Sequence, residues 1–395
     1  MRFNRSVMTL AGAHFLVDNY SSMLGAFLPF LHQKLNLSLS QAGILAGMLI
    51  FSSSLMQPLY GYLADRIQHR GFAALGPGLA GLFISMLGLA PDFFTLMLLV
   101  VLGGVGIASF HPQAAAVTSE QAGDHHGYQM SIFITGGMIG YALGPIYITT
   151  IISLAGLGYS YWAALPGLLM SAYMLVYGPS PRRTEVNSDH PRFRQQVTTK
   201  LRPLILLYFL VVIRSILQMV FVAFLPLYFT MQGYTEMQAS RNLTLFLLSG
   251  GTAGFLGGLL ADRFGGRTVI AWSMLASFPL LMGFLLTDGL VAILLAVAGG
   301  GALLFTTPVN IVMAQKLVPQ AAGTISALMM GFAWGVGGGF VPMVGFLSDS
   351  FGLETTLIGL VFLTVPGFFV ALALPALRKP DDFTQLVGVP LEPRL

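Results

Sequence analysis

Long runs of apolar residues dominate the chain, and short polar segments separate them. A helix rises 1.5 Å per residue, so about 20 apolar residues are needed to cross about 30 Å of hydrocarbon. The strands of a membrane β-barrel would alternate apolar and polar residues over about ten positions, and these runs do not alternate. The pattern predicts twelve membrane-spanning helices, near residues 7–31, 39–63, 71–91, 93–118, 127–154, 158–178, 203–231, 236–261, 267–287, 289–314, 322–347 and 353–377.

The composition supports an integral membrane protein. Hydrophobic residues make up 55% of the 395 positions and charged residues 9%, against roughly 25% charge in soluble domains. The chain has no cysteine, which excludes disulfides and thiolate metal sites. Arg2 and Arg5 precede an apolar run that contains Ala11-Gly12-Ala13, as in a cleaved signal peptide, but the run continues for a whole span beyond that point. We therefore expect an uncleaved first helix.

The positive charges lie mainly on one side of the predicted topology. Of the 19 lysines and arginines, 16 face the side of the amino terminus, Lys34 and Arg241 face the opposite side, and Arg214 lies within a span. Basic residues concentrate on cytoplasmic loops of membrane proteins, so both termini are expected in the cytoplasm. Because these charges lie on short loops between spans, they do not indicate nucleic-acid binding. We predict a multi-pass protein of the inner (cytoplasmic) membrane.

An internal repeat divides the chain into two halves. Residues 28–66 align without gaps on residues 225–263 at a shift of 197 positions, with 11 identical residues among 39. The repeat predicts an amino-terminal six-helix bundle at 1–178 and a carboxy-terminal six-helix bundle at 203–378. The polar, basic segment 179–202 is typical of a cytoplasmic linker, and 379–395 of a cytoplasmic tail. Parallel repeats of this kind favour a substrate site at their interface near the bilayer midplane.

Two loop motifs resemble those of the major facilitator superfamily. "GYLADRIQHR" (61–70) and "GGLLADRFGGR" (257–267) each follow the second helix of a half. The resemblance implies an all-α membrane protein with twelve transmembrane helices in two pseudo-symmetric six-helix bundles.

The same resemblance implies a cytoplasmic gate in which an aspartate and arginines clamp the halves together. An aspartate near a helix amino terminus meets the positive end of the helix dipole, and arginines add charge-assisted hydrogen bonds. Alternatively, the arginines only anchor these loops on the cytoplasmic side. The residues implied in the gate are Asp65, Arg66, Arg70, Asp262, Arg263 and Arg267.

Three further motifs resemble, more narrowly, the fosmidomycin-resistance branch of that superfamily. They are "AHFLVDNYSS" (13–22), "SFHPQAAAV" (109–117) and "HGYQMSIFITGGMIGYALGP" (126–145). The resemblance implies a proton-coupled exporter of antibiotics and related small molecules. Gly140, Gly144 and Pro145 also resemble the fifth-helix motif of antiporters in the superfamily. Glycines four apart let helix backbones approach closely and proline bends a helix, although ordinary packing of small residues is the alternative.

The first predicted helix contains an acidic residue, Asp18, and a carboxylate at the bilayer centre costs about 2.5–3.5 kcal/mol. His14 lies four positions earlier, on the same helix face. Arg214 lies within the seventh span, and the shift of 197 places it opposite Val17, so the first and seventh helices are equivalent. In the superfamily that the motifs resemble, both helices line the central cavity, so the resemblance implies that Asp18 and Arg214 lie within reach of each other. We predict that Asp18 carries the proton, with His14 as a relay and Arg214 as its charge partner. The alternative is a permanent ion pair that holds the two halves together.

Polar residues in other spans are candidate substrate ligands. Arg214 is one, and Gln218 lies one helical turn after it. His111 precedes Pro112 in the fourth span, where it binds substrate, assists proton transfer or satisfies the carbonyl that the proline leaves free. Neutral candidates in the tenth span are Thr306, Thr307 and Asn310.

A metal cargo and an enzymatic function are both disfavoured. His14, Asp18 and His111 carry atoms that ligate metals, but the fixed positive charge of Arg214 disfavours a cation and favours an anionic or zwitterionic substrate. The sequence contains no phosphate-binding loop, nucleophile elbow or zinc signature.

The sequence as a whole predicts a secondary transporter that uses the proton gradient and no cofactor. We expect a monomeric antiporter in the lipid bilayer that exports a small drug-like or metabolite anion in exchange for protons. Two alternatives remain open at this stage. One is uptake of a small organic anion by symport or facilitated diffusion, and the other is a sensor or interaction protein that uses a transporter fold without turnover.

Overall fold

The computed structural model describes residues 4–67, 69–121, 126–179, 200–318, 325 and 328–376. Within these ranges the chain forms helices and no strand. Its sixteen described α-helices, numbered in chain order, are α1 Arg5–Leu35, α2 Leu39–Ile50, α3 Gln57–Ile67, α4 Gly71–Ser85, α5 Phe93–Gln121, α6 His126–Ala155, α7 Leu165–Tyr177, α8 Leu201–Met231, α9 Glu236–Phe264, α10 Gly266–Leu285, α11 Gly289–Leu304, α12 Thr307–Leu317, α13 Ala333–Gly339, α14 Val341–Phe351, α15 Leu353–Val361 and α16 Thr364–Leu372.

Nine helical stretches of these described residues are long and apolar enough to cross a membrane. They coincide with nine of the predicted spans, as Leu201–Met231 does with 203–231. The first predicted span is also a continuous helix, α1. The sixth is a 3-10 helix, Leu157–Ala164, followed by α7. The eleventh is helical from Leu328 onward, as a π-helical turn followed by α13 and α14.

Local signals set the two ends of α1, the helix that carries Asp18. The Asn4 side chain accepts a hydrogen bond from the Ser6 amide at 2.9 Å and so caps the amino terminus. The helix ends at Asn36, which has a φ of 51°. This left-handed conformation is tolerated by asparagine better than by most residues. The caps leave an uninterrupted helix of 31 residues, which holds His14 and Asp18 on one face.

The described residues divide into two compact units. The first contains the described residues of 4–179, 215–248 and 334–359, and the second contains those of 200–214, 249–333 and 360–376. The predicted bundle boundaries at residues 178 and 203 remain predictions. Most of the predicted linker, at 180–199, lies outside the described residues, as does the predicted tail at 379–395.

In the first unit, α1 and α6 pack closely because α6 presents glycines to the α1 backbone. A Cβ at Gly136 would lie 2.6 Å from the carbonyl oxygen of Ala11. A Cβ at Gly140 would collide with the carbonyl oxygen of Phe15, and one at Gly144 with the Ser22 hydroxyl. Small residues at such an interface let helix backbones approach closely. The glycines of α6 therefore fix its position against the helix that carries Asp18.

The first unit also contains a close packing of α2 on α14. Ser38 and Gln41 form a capping box at the start of α2, and the carboxylate of Asp349 accepts hydrogen bonds from the Leu39 amide at 2.8 Å and the Ser40 amide at 2.9 Å. An aspartate at this position also complements the helix dipole. The amino terminus of α2 is thus capped both by the neighbouring residues Ser38 and Gln41 and by Asp349 in the last turn of α14.

In the second unit, α10 packs against α11 and α16. A Cβ at Gly299 of α11 would lie 2.5 Å from the side chain of Leu281 on α10, so these helices are also close. The tenth predicted span is interrupted after Leu304, where α11 ends, and α12 begins at Thr307. Pro308 lies in the first turn of α12, where its missing amide hydrogen costs no helical hydrogen bond. This interruption sets a helix amino terminus inside the predicted span.

Candidate functional site

The carboxylate of Asp18 lies between two histidines within the first unit. Its Oδ2 is 3.2 Å from Nε2 of His14, and its Oδ1 is 3.0 Å from Nε2 of His111 on α5. Side-chain exposure is 19% for Asp18, 10% for His14 and 24% for His111. We call these three residues the His-Asp-His cluster. The acidic residue that the sequence singled out therefore has two partners in its own unit.

Backbone carbonyl groups orient both imidazole rings of the cluster. Nδ1 of His14 is 2.8 Å from the carbonyl oxygen of Phe133, and Nδ1 of His111 is 2.8 Å from the carbonyl oxygen of Ile107. A carbonyl oxygen only accepts hydrogen bonds, so each Nδ1 must carry a hydrogen and donate it. The Nε2 atoms, which face Asp18, are then the positions at which each ring gains or loses a proton.

The surroundings of the cluster are aromatic and closely packed. The His14 ring stacks on Phe133 with 4.2 Å between centroids and meets His111 edge-on at 5.1 Å. A Cβ at Gly137 of α6 would lie 2.5 Å from Nε2 of His14 and 2.6 Å from Oδ2 of Asp18. Only glycine leaves room for this arrangement. Gly137 lies one position after Gly136, in the same glycine-rich stretch that packs α6 on α1.

His111 binds a carbonyl that is not the one freed by Pro112. In an α-helix the residue at position 112 would donate its amide hydrogen to the carbonyl of Ala108, and proline has none to donate. The His111 ring donates instead to Ile107. The geometry therefore groups His111 with Asp18 rather than with the proline-induced gap in α5.

The predicted antiporter-type motif packs against the same helix. Besides the close approach of Gly140 and Gly144 to α1, the side-chain amide of Asn19 donates to the carbonyl oxygen of Gly140 at 3.2 Å. Pro145 lies within α6, one residue later than Gly144. These contacts are those of close helix packing, and the motif's role in exchange remains a prediction.

The cluster also has the spacing of a metal site. Its three ligand atoms lie within 4.8 Å of one another. Two imidazoles and one carboxylate suit a transition metal. The contacts of 3.0 and 3.2 Å are equally those of hydrogen bonds in which protons are shared. The expectation of no metal continues to rest on the positive charge at Arg214.

Arg214 lies in the second unit and is almost fully buried, at 2% exposure. Its Nη1 donates to Oγ1 of Thr307 at 3.1 Å. Thr307 is the first residue of α12, and the amino terminus of a helix carries partial positive charge. A buried guanidinium and a helix amino terminus therefore lie together, an arrangement that attracts anions.

Two more predicted ligands lie in the first turn of α12. Thr306 and Asn310 are 0% and 2% exposed. Thr306 Oγ1 and Asn310 Oδ1 have no hydrogen-bond partner within the part of the chain that the structure describes. A buried polar atom left without a partner costs about 1–3 kcal/mol. Both atoms are available to a polar ligand near Arg214 and Thr307.

Three other predicted site residues are Gln218, Arg66 and Arg70. Gln218 is buried at 5% exposure. The guanidinium of Arg66 lies 4.6 Å from the centroid of the Tyr62 ring, and Arg70 donates to the carbonyl oxygen of Val176 at 3.4 Å.

Of the gate residues in the second half, Asp262 and Arg263 are exposed and Arg267 is partly exposed. Among the described gate side chains no ion pair forms, and the side chain of Asp65 lies outside the described residues. The gate remains a prediction.

Sequence reasoning missed the contact between Asp18 and His111, which are 93 positions apart. Each residue was singled out as a polar group in an apolar span, but nothing in the sequence indicated that their side chains meet. The carbonyl partners at Ile107 and Phe133 and the small residue at Gly137 also carried no signal of their own. The predicted approach of Asp18 to Arg214 stays a prediction.

Comparison with known sequences relates the chain to transporters. The profile of the Major Facilitator Superfamily matches residues 10–342. An uncharacterized MFS-type transporter, YfnC, of Bacillus subtilis strain 168 is 34% identical over 383 residues, which cover 93% of this chain and 91% of the relative. The fosmidomycin resistance protein of Escherichia coli strain K12 is 28% identical over 386 residues, covering 93% and 92%.

A solved structure shows the same fold. The crystal structure of a bacterial homologue of the human lysosomal transporter Spinster, in an inward-facing and occupied conformation, matches with a TM-score of 0.81 at 16% identity. The match covers 93% of this chain and 96% of the other. These similarities confirm the predicted all-α membrane fold and the predicted resemblance.

Proposed function

We propose that this chain, which belongs to the major facilitator superfamily, is a proton-coupled antiporter that exports a small drug-like or metabolite anion. Membership makes it a multi-pass membrane transporter of a small molecule and not an enzyme. The proton coupling, the direction and the anionic substrate are the proposal. The observation that carries it is the His-Asp-His cluster, a set of three ionisable side chains inside a membrane protein.

The cluster supports proton coupling because ionisable groups within membrane spans are costly unless they serve a purpose. Asp18 has a proton-accepting partner on either side, and each partner is oriented by a backbone carbonyl. A carboxylate held in this way can exchange protons with its neighbours without a large rearrangement. Histidine changes its charge near neutral pH, which suits a group that must load and unload protons within each cycle.

The surroundings of Arg214 support an anionic substrate. A buried guanidinium presents a fork of donors that matches carboxylates, phosphates and phosphonates. The Thr306 hydroxyl can donate to the same anion, whereas Oδ1 of Asn310 requires a donor. The best-fitting substrate is therefore an anion that also carries a hydroxyl or N–H group.

Exchange requires that protons and substrate favour different conformations of the transporter. A ligand shifts a conformational equilibrium only through its different affinities for the two states. Proton binding at the cluster and anion binding near Arg214 would be linked in this way, and the linkage must be reciprocal. Export in particular is supported by the resistance named in the Escherichia coli relative.

The experiment uses the full-length protein in proteoliposomes with an imposed pH gradient and a lumenal pH dye. Fosmidomycin is the first probe, because a relative is named for resistance to it, and simple phosphonates and carboxylates follow. Wild-type protein should move protons when an anion is added. Asp18→Asn should abolish this movement. Asp92→Asn, the same chemical change in an exposed loop carboxylate, should leave it intact.

Three outcomes would contradict the proposal. Anion transport without proton movement in the wild type would indicate uptake by facilitated diffusion. Proton-driven exchange that persists fully in Asp18→Asn would remove the cluster from the coupling mechanism. Anion binding without any flux would indicate a non-transporting sensor.

A further inference from the structure

Two imidazoles face one carboxylate in the His-Asp-His cluster. This arrangement sets the smallest number of protons with which both contacts can be hydrogen bonds. Because the Phe133 and Ile107 carbonyl groups fix hydrogens on both Nδ1 atoms, each neutral ring turns a lone pair on Nε2 toward Asp18. A lone pair facing a carboxylate oxygen at 3.0 or 3.2 Å is repulsive unless a hydrogen lies between them. One proton relieves only one of the two contacts.

The proton count of the cluster can be stated for each state. With no added proton its formal charge is −1, and both Nε2 contacts are repulsive. With one proton the charge is zero and one contact becomes a hydrogen bond. With two protons both contacts are hydrogen bonds from imidazolium to carboxylate, and the charge is +1. Of these three states, only the two-proton state makes both contacts hydrogen bonds.

We propose that His111 is a second proton-carrying residue and that the cluster exchanges two protons in each transport cycle. This inference rests on the proposed function, because it specifies how many protons that exchange moves. His111 is the more exposed of the two histidines and makes the shorter contact with Asp18. It is the position at which protons enter and leave, while His14 is enclosed by Phe133 and Gly137.

The other titratable groups around Asp18 are few. Its own helix contributes His14, α5 contributes His111, and α6 contributes Tyr141, which lies close enough for an electrostatic interaction with Asp18. A tyrosine does not change its charge near neutral pH. The change of charge with pH at this site is therefore carried by the three residues of the cluster.

Nitrogen NMR of histidine-labelled full-length protein in nanodiscs tests the inference without a substrate. The chain has seven histidines, and His14→Gln and His111→Gln identify the two resonances by their loss. In the proton-loaded cluster both rings should give the signals of imidazolium, and a ring that has lost its proton should keep its hydrogen on Nδ1, because each Nδ1 donates to a backbone carbonyl. A neutral ring that carries its hydrogen on Nε2 would overturn the inference.

Transport stoichiometry provides the second test. With the membrane voltage held at zero, a tenfold proton gradient balances about a hundredfold substrate gradient if two protons exchange, and about a tenfold gradient if one does. The Gln side chain in His111→Gln can donate permanently to Asp18, as imidazolium does, but cannot release a proton. In His111→Gln exchange should continue, but the number of protons exchanged per substrate should fall from two to one.

These outcomes separate the inference from the proposed function. A ratio of one in the wild type, or an unchanged ratio in His111→Gln, overturns the inference and leaves antiport standing. If no proton movement accompanies transport in any variant, the proposed function fails. The NMR titration then still decides whether the cluster binds two protons.

Discussion

Asp18 and Arg214 lie on helices that the internal repeat makes equivalent, yet the structure surrounds them differently. Asp18 is held by two ionisable side chains, His14 and His111. Arg214 donates to a neutral hydroxyl, that of Thr307. Groups that change charge around Asp18 suit the transfer of protons, whereas the fixed charge of a guanidinium suits the binding of an anion. In the proposed function, the equivalent helices of the two halves therefore serve different ligands.

The largest effect is expected when the carboxylate of Asp18 is replaced. Asp18→Asn should reduce proton-coupled exchange to the background of empty liposomes, because the amide cannot carry the proton. The same variant should still bind fosmidomycin, as measured by calorimetry, because it retains Arg214. Parallel losses of binding and coupling would contradict a division of labour between the two sites.

Replacing the guanidinium tests the other side of the comparison. Arg214→Gln should weaken anion binding by about 1.5–3 kcal/mol, the contribution of a hydrogen bond to a charged group, which is about 10- to 150-fold in Kd. Arg214→Lys keeps the positive charge but lacks the planar fork of donors. Its loss of anion affinity should be smaller than that of Arg214→Gln. Equal affinity in Arg214→Gln would show that the anion binds elsewhere.

Adding one methyl group tests whether the packing of the cluster matters apart from its charges. Gly137→Ala should destabilise the protein by about 1–3 kcal/mol or displace the cluster, because its Cβ would lie 2.5 Å from His14. Gly258→Ala is the matched control, since no atom lies within 4 Å of a Cβ there. Thermal unfolding and the histidine NMR signals are the measurements. Identical behaviour of the two variants would contradict the close packing.

A smaller effect is expected at the hydroxyl beside Arg214. Thr307→Val preserves the shape of the side chain and removes its hydrogen bond. We expect anion binding to weaken by about 0.5–1.5 kcal/mol, about two- to twelvefold in Kd, through the poorer orientation of Arg214. Thr235→Val, in an exposed turn before α9, should not affect binding. If Thr307→Val binds the anion as tightly as wild type, the hydrogen bond between Arg214 and Thr307 has no role in anion binding.

Asp349 lies just beyond the predicted span 322–347, and its carboxylate can be compared with that of Asp18. Burial acts to raise the pKa of Asp349, but hydrogen bonds from Ser40 and the Leu39 amide outweigh it and hold that pKa below its ordinary value. The carboxylate therefore stabilises the protein above about pH 4, and this contribution is lost only as the pH falls further.

Asp349→Ala should accordingly lower stability by about 0.5–2 kcal/mol through loss of the α2 cap. Denaturation followed at neutral pH measures it, and between about pH 5 and pH 8 the difference from wild type should stay constant. A difference that changed within this range would show that Asp349 titrates there.

The sequence predicted the fold closely because apolar length and charge asymmetry are properties of each segment alone. The described helix α8, Leu201–Met231, agrees with the predicted span 203–231 to within two residues at its start. Interruptions within a span were harder to predict. The interruption between Leu304 and Thr307 falls inside a predicted continuous span, because Pro308 and two threonines only permit a break that packing then stabilises.

The sequence by itself identified the residues that carry unusual chemistry, since a charged or ionisable group in an apolar span is conspicuous wherever it lies. Which of them meet was decided by the tertiary structure alone. His111 reaches Asp18 across 93 positions because α5 packs against α1 and because carbonyl groups on α5 and α6 turn the two imidazole rings. Such a contact depends on the separation and rotation of three helices, which no local pattern in the chain encodes.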